Sequence, residues 1–332
     1  MKIVAVTQAR YGSSRLPGKV LKAVNGKTLL SIHLKRVLAS KKINKLIVAT
    51  TTEPEAKLIE EIAIENNCSV YKGSLNDVLD RYYRAVKDEK PDYVVRITSD
   101  CPLVDAEIID AVIDNCIQQN ADYCSNTLEP TFPDGMDVEV FRFQALETAW
   151  KEAVLQSDRE HVTPFIWRNS TAKGGDRFRG LIYYSSSDYS DIRVTVDTSN
   201  DFNLVNELIL AVGDSASWKE YVRYLNENPN LLTINNNTQR NEGLMKSLQH
   251  DKIVLREIEN YTKSNEYRKK VHDLIPGGAH TYSKGDDQFP ELAPAAIDYG
   301  KGAYVWDIDG NKFLDCSMGL TSVVLGHAYE PV

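Results

Sequence analysis

What the 332-residue sequence lacks narrows the field first. Its five cysteines, at positions 68, 101, 116, 124 and 316, form no C-x-x-C pair and no metal-ligand spacing. That argues against a disulfide framework or a zinc site and fits reduced thiols in a cytoplasmic protein. No apolar run approaches the length of a membrane span, so no membrane partner is expected. Met1-Lys2 leads straight into an apolar stretch, so no secretory leader is expected. Positive charge is in deficit: the net charge is -8 and the pI is near 5.4. This argues against a nucleic-acid partner, whose protein footprint is basic. There is no Ser/His/Asp arrangement and no thiol with a clear base. The dinucleotide pattern G-x-G-x-x-G is absent. A P-loop fails too, with Ser13 at its first glycine and Val20 at its magnesium hydroxyl.

What is present is ordinary in bulk, with 42% hydrophobic and 26% charged residues, as in a soluble globular protein of about two domains. The distinctive stretch comes first. Ile3 to Val6 is an apolar, β-branched run suited to a strand buried on both faces. It breaks into a small-residue loop carrying Arg10, Arg15 and Lys19 among Gly12, Ser13, Ser14, Pro17 and Gly18. Open α/β sheets bind ligands at the C-terminal ends of their strands. Three cations on a loop that exposes backbone N–H groups suit a polyphosphate, where a solvated turn with incidental charge is the plainer alternative.

Residues 1–125 alternate between strand and helix periodicity. The strands are expected at Ile3–Thr7, Leu46–Thr50, Ser69–Tyr71 and Tyr93–Thr98. The helices are expected at Leu29–Ala39, Glu55–Asn66, Asn76–Lys87 and Ala106–Gln118. This βαβα order implies an α/β fold with a parallel sheet covered by helices on both faces. After Thr127 the rhythm changes. Val138–Phe141 reads as a strand outside the parallel run, and Gly180–Tyr184 and Arg193–Val196 as further strands, with a helix at Ala145–Ala153. Asn203–Val212 and Trp218–Leu225 read as helical. Asn235-Asn-Asn-Thr-Gln-Arg240 is a linker by composition, with no apolar anchor. Gly243–Ile275 then reads as one or two polar helices, and Asp309-Gly310 as a hairpin turn.

Two aspartates stand where a metal ligand belongs. Asp100 follows the strand Tyr93–Thr98, and Asp197 ends Arg193-Val-Thr-Val-Asp197. Hard carboxylate oxygens suit Mg²⁺, which takes one or two of them plus substrate phosphates. Each could instead cap the next helix, as the following Asp105 or Asp201 could. Asp134-Gly-Met-Asp137-Val-Glu139 is a dense acidic turn, readable as a wall for a second substrate's hydroxyls or amine, or as an ordinary loop. Arg159, Glu160 and His161 form a similar polar cluster.

Several of these stretches together carry a resemblance. They are Gln8-Ala-Arg-Tyr-Gly-Ser-Ser-Arg-Leu-Pro-Gly-Lys19, Val48-Ala-Thr-Thr-Thr52, Gly73-Ser-Leu-Asn-Asp-Val-Leu-Asp-Arg-Tyr82 and Arg96-Ile-Thr-Ser-Asp-Cys-Pro-Leu103. Pro133-Asp-Gly-Met-Asp-Val-Glu-Val140, Arg159-Glu-His-Val-Thr-Pro164 and Arg193–Asp197 complete the set. Residues 1–235 resemble the SpsF-like cytidylyltransferases, related to the CMP-sialate and CMP-Kdo synthetases, of GT-A-like nucleotidyltransferase fold. One departure is Ser99, where such proteins usually carry glycine. The resemblance implies attack of an acidic acceptor on the α-phosphorus of CTP with release of pyrophosphate. It assigns the nucleotide to Gln8, Ala9, Arg10, Gly12, Ser13, Ser14, Arg15, Lys19, Thr51, Gly73, Asp77, Arg96 and Thr98. Arg15, Lys19 and Asp100 would be catalytic, and Asp100 and Asp197 would hold Mg²⁺. Asp134, Asp137, Glu139, Arg159, Glu160 and His161 would line the acceptor pocket. It also implies a homodimer and a role in surface polysaccharide synthesis.

Residues 261–332, beyond a connecting stretch 236–260, resemble the opening of class III PLP-dependent aminotransferases. The matching residues are Pro276-Gly-Gly-Ala279, Gly300-Lys-Gly-Ala-Tyr-Val-Trp-Asp-Ile-Asp-Gly-Asn-Lys312 and Leu325-Gly-His327. That family's Schiff-base lysine would lie beyond Val332, so PLP is not expected on this chain. Two other functions compete with cytidylyl transfer. A GT-A glycosyltransferase usually holds its metal with Asp-x-Asp, which Asp100-Cys-Pro102 does not supply. A non-catalytic binding module would have no need of both aspartates and all three loop cations.

Overall fold

A computed structural model describes residues 1–13, 15–238, 240–256, 261–275, 294–315 and 327–328. Ser14, Cys316, the Pro276–Ala279 motif and Leu325-Gly326 lie outside these residues. The chain divides into two compact units, Met1–Leu244 and Met245–Val332.

The first unit begins with β1 (Ile3–Gln8), a short hairpin of β2 (Ala23–Val24) and β3 (Lys27–Thr28), and α1 (Leu29–Leu38). There follow β4 (Lys45–Thr51), α2 (Ala56–Glu65), β5 (Ser69–Gly73), α3 (Val78–Val86), β6 (Tyr93–Thr98) and α4 (Ala106–Gln118). Next come β7 (Tyr123–Ser125), β8 (Glu139–Arg142), α5 (Phe143–Glu152), α6 (Gln156–His161), α7 (Pro164–Arg168) and β9 (Gly180–Ile182). The unit closes with α8 (Ser199–Val212) and α9 (Trp218–Glu227). Among the described residues seven of these strands form one sheet in the order β5-β4-β1-β6-β8-β7-β9. The pairs β5–β4, β4–β1 and β1–β6 are parallel, and β8 runs antiparallel to both its neighbours.

Side-chain alternation along the strands builds two cores. Ala5, Val48 and Val95 face one side with α1, α4 and α8, while Val4, Val6, Ile47 and Val94 face the other with α3 and α5. Each fully buried Val or Ile contributes about 1.5–3 kcal/mol, so the double burial predicted for Ile3–Val6 makes β1 the axis of the unit. From β1 the chain winds outward through β4 to β5, then returns to lay β6 on the other side of β1. That reversal opens a crevice at the C-terminal ends of β1 and β6, the usual ligand position in such sheets.

Several expectations need correction. Tyr123–Ser125 is a strand that short length hid among loop residues. The expected strand Gly180–Tyr184 is shorter, Gly180–Ile182, with Tyr183 N still bonding Ser125 O. Arg193–Val196 is not a strand: it joins Asp134 through an isolated bridge and gives its other backbone groups to separate partners. Asn235 and Arg240 belong to the first unit rather than to a free linker, held by polar bonds described below. In the second unit, α10 (Glu242–Arg256) begins before the division and α11 (Thr262–Leu274) follows. β10 (Ile297–Lys301), β11 (Tyr304–Asp307) and β12 (Lys312–Leu314) form an antiparallel sheet, with Gly310 at φ 89° in the β11–β12 turn.

One buried polar residue joins three elements beside the crevice. His33, on α1, places Nδ1 3.0 Å from the Cys101 carbonyl and Nε2 2.8 Å from the Thr7 hydroxyl. A carbonyl only accepts, so Nδ1 carries the proton and Nε2 accepts from Thr7. The ring is neutral. Burial, helped by the Arg36 charge and opposed by the Cys101 bond and Asp100, lowers its pKa from 6.5 to about 4. The unfolded chain therefore binds the proton more readily. The neutral ring's contribution is complete above pH 6.5 and is lost as pH falls toward 4, a change of about 3 kcal/mol. Denaturant unfolding between pH 7 and 4 should show this loss, and His33→Gln should flatten that part of the profile.

Candidate active site

The cationic loop leaves β1 at Ala9 and returns to a buried turn at Val20. Gly18, at φ 64°, adopts the left-handed conformation that opens this turn. Lys19 thereby points back across the crevice. Its Nζ lies 3.1 Å from Asp100 Oδ2 and 2.9 Å from Asp197 Oδ1. Two aspartates 97 residues apart in sequence thus meet on one ammonium. Arg15 Nη2 adds a third contact, 3.0 Å from the same Asp197 oxygen.

The capping alternative resolves by position. Asp105 caps α4 by accepting from Glu107 N at 2.8 Å, and Asp201 forms the capping box of α8 with Thr198. Both local roles are filled by these neighbours, which leaves the carboxylates of Asp100 and Asp197 directed at the crevice. Burial opposes the charge of Asp100, but Lys19 and the Thr98 hydroxyl outweigh it and hold the carboxyl well below its ordinary range. Burial likewise opposes the Lys19 charge, and Asp100 with Asp197 overcomes it to raise the ammonium's pKa.

Arg193 holds this arrangement to the acidic turn. Its guanidinium donates to Asp134 Oδ2 at 2.5 Å, Asp197 Oδ2 at 2.9 Å and Asp201 Oδ1 at 2.9 Å. The backbone follows the same path. Asp134 N bonds Ile192 O and Val194 N bonds Asp134 O, while Val196 N and the Thr195 hydroxyl reach Asp100 O at 2.7 and 2.9 Å. Residues 192–196 therefore span from the acidic turn to the metal-ligand candidate. Ser99 occupies its turn by donating to Gln8 O at 2.7 Å, a bond that ties the ends of β1 and β6.

Arg240, which sequence reasoning assigned to a linker, closes the other side. It donates to Asp137 Oδ1 at 2.5 Å and to Phe132 O at 3.2 Å, with Asp134 3.7 Å from its Nε. Asn235 donates to Arg193 O and Asp201 Oδ1. Burial, then the Asp137 charge, push the Asp134 carboxyl up, against Arg240 and Arg193. Asp137 is pushed up by burial against the same Arg240.

Several other expected site residues have partners within the scaffold. Glu139 accepts from Tyr123 OH at 2.6 Å and Thr163 Oγ1 at 2.7 Å, and pairs with Arg96. Both its oxygens are filled, so Glu139 and Arg96 brace β6 against β8 and are not free to bind a ligand as they stand. Arg159 pairs with Asp77, whose carboxylate also caps α3, which fixes the loop after Gly73. The Thr51 hydroxyl bonds Glu53. Among the described residues Gln8 Oε1 has no hydrogen-bond partner although it is buried, and Ala9 is buried. Arg10 and Gly12 are exposed on the loop, and Ser13 Oγ accepts from Leu16 N. Glu160 and His161 end α6, 3.9 Å apart. Val162 follows at φ 74°, with Thr163 N bonding His161 O across it. A β-branched residue in that conformation stores about 1–3 kcal/mol of strain beside the site.

A family model described as cytidylyltransferase matches residues 4–236. The chain belongs to the cytidylyltransferase family. It is 38% identical over 244 residues to an uncharacterized protein of Methanocaldococcus jannaschii, covering 72% of this chain and 97% of that one. It is 32% identical over 243 residues to the spore coat polysaccharide biosynthesis protein SpsF of Bacillus subtilis, covering 70% and 97%. A solved cytidylyltransferase from Leptospira borgpetersenii superposes with a TM-score of 0.66 at 34% identity, over 72% of this chain and 98% of that one. This cytidylyltransferase is accordingly a nucleotidyltransferase of α/β fold. No helix among the described residues is long and apolar enough to cross a membrane.

The approach of the acidic turn to residues 192–196 depends on Gly135. A Cβ there would sit 2.7 Å from Thr195 N and 2.8 Å from Val194 C, and the residue has φ 110°. Gly135→Ala should therefore cost at least about 2 kcal/mol in thermal or denaturant unfolding. Gly12→Ala, with none of the described residues within 4 Å of the added carbon, should leave stability nearly unchanged.

Proposed function

We propose that this cytidylyltransferase couples CTP to an acidic sugar or related small acceptor, forming the CMP conjugate and releasing pyrophosphate. The observation that carries the reading is the convergence of Asp100, Asp197 and Arg15 around Lys19 at the β1–β6 crevice. The loop cations would hold the triphosphate, with Arg15 and Lys19 offsetting charge on the leaving pyrophosphate. Asp134, Asp137 and His161 would orient the acceptor oxygen toward the α-phosphorus. Nucleophilic attack forms the new P–O bond while the bond from the α-phosphorus to the bridging oxygen breaks.

The residues present fit Mg²⁺. Asp100 is held ionised, and it shares a single cation with Asp197. Among the described residues the connected ion-pair cluster contains six carboxylates, of Asp100, Asp134, Asp137, Asp197, Asp201 and Glu242. Against them stand four cations, Arg15, Lys19, Arg193 and Arg240. Burial, then neighbouring carboxylates, push Asp134 and Asp137 up, and the surplus of carboxylates over cations favours a divalent ion. Asp100 and Asp197 would hold it, and when bound it supplies charge neutralisation for the phosphates. Lys19 would then pass from the two carboxylates to a phosphate oxygen.

The SpsF relative supports a role in polysaccharide synthesis. The family resemblance supports a cytoplasmic homodimer, which light scattering would check. For residues 261–332 the resemblance supports an aminotransferase-like segment, with 236–260 connecting it to the catalytic domain.

Incubation with CTP, Mg²⁺ and a panel of acidic sugars should release pyrophosphate with at least one acceptor. Sugar-nucleotide hydrolysis alone would indicate a glycosyltransferase instead. Asp100→Ala should lower turnover by at least about a hundredfold while circular dichroism shows an unchanged fold. Unchanged activity would remove Asp100 from the site.

A further inference from the structure

The stretch just beyond the family-matched residues lies on groups from both halves of the site. Glu242 accepts from Arg15 Nη1 at 3.1 Å. Two residues earlier, Arg240 donates to Asp137 Oδ1 at 2.5 Å and to Phe132 O at 3.2 Å, and lies 3.7 Å from Asp134. Gly243 runs close enough to His161 that a Cβ there would be 3.9 Å from Cε1. Asn235 anchors the approach to this stretch through Arg193 O and Asp201 Oδ1, and is itself buried. The charges match the site in reverse order to the substrates' expected chemistry. A carboxylate meets the cation expected to bind phosphate, and a guanidinium meets the carboxylates expected to bind the acceptor.

We propose that residues 240–243 form an autoinhibitory latch, in which Glu242 stands in for a phosphate group on Arg15 while Arg240 covers Asp137 of the acceptor wall. The proposal rests on the reading of Arg15 as a triphosphate ligand. The two opposite charges sit two positions apart on one short segment, so they engage and release together. CTP, with a higher charge than a single carboxylate, displaces Glu242 from Arg15. Loss of that contact loosens Arg240 on Asp137 and exposes the acceptor wall. The latch thereby keeps an acid-rich acceptor wall neutralised until nucleotide arrives. The Glu242–Arg15 contact is partly solvated, with side-chain exposures of 34% and 38%, so salt weakens it.

Titration calorimetry of the full chain with CTP and Mg²⁺ tests this. Glu242→Gln removes the competing charge and should tighten CTP binding about two- to fivefold, the range for a solvated ion pair. The gain should shrink as sodium chloride is raised. A parallel measurement on Arg15→Ala separates the two levels of the argument. If Glu242→Gln leaves CTP affinity unchanged or weaker while Arg15→Ala weakens it, the latch is wrong and the Arg15 reading stands. If neither substitution changes affinity, Arg15 does not bind the triphosphate and the latch falls with it. If Glu242→Gln tightens binding and Arg15→Ala abolishes that gain in the double variant, both hold.

Discussion

The site depends on one guanidinium. Arg193 holds Asp134, Asp197 and Asp201 at once, and only 9% of its side chain is exposed. Buried carboxylates are tolerated only with a counter-charge, and breaking such a pair leaves an uncompensated charge that costs about 3–5 kcal/mol. Arg193 therefore does for the acidic turn what Lys19 does for the crevice. Because it bonds Asp197 from behind, Asp197 keeps its other oxygen for Lys19 and Arg15. Positioning of the metal-ligand candidate and positioning of the acidic turn proposed to face the acceptor are thus one event, joined through a side chain that need not touch either substrate.

Backbone geometry makes this junction possible. Residues 192–196 pass between the acidic turn and the β6 turn, bonding Asp134 on one side and Asp100 on the other. Gly135 admits that approach because a side chain there would overlap the passing backbone. On the far side, His33 supports the same β6 turn through the Cys101 carbonyl, and Ser99 secures it to β1. Asp100 is consequently held by rigid elements and not by its own loop, an arrangement suited to chemistry that relies on positioning.

Some of this was legible one stretch at a time. The β-branched run of Ile3–Val6 announced the central strand, and the Arg10–Lys19 loop announced the cations that reach the crevice. Both are local patterns of periodicity and composition. Composition misled at Asn235–Arg240, because a segment without apolar anchors reads as solvated chain. Ion pairs and side-chain amide bonds hold it instead, and these leave no periodic signal. The alternation in Arg193–Val196 suggested a strand, but a strand needs a continuous neighbour, and this segment changes partner every residue or two. Arg193 could have been suspected from charge alone. An acidic turn that folds into the interior needs a buried cation, and Arg193 stands four residues before Asp197.

The sequence by itself determined strands β1, β4, β5 and β6 with helices α1 to α4, the cationic loop and the family, because each is encoded in residues close together along the chain. Only the tertiary structure decided that Asp100 and Asp197 share Lys19, that Glu139 is consumed by Arg96, Tyr123 and Thr163, and that Arg240 covers Asp137. Those pairings join residues 16 to 178 positions apart. Their partners are chosen by which charges the fold buries together, and no local pattern records that choice.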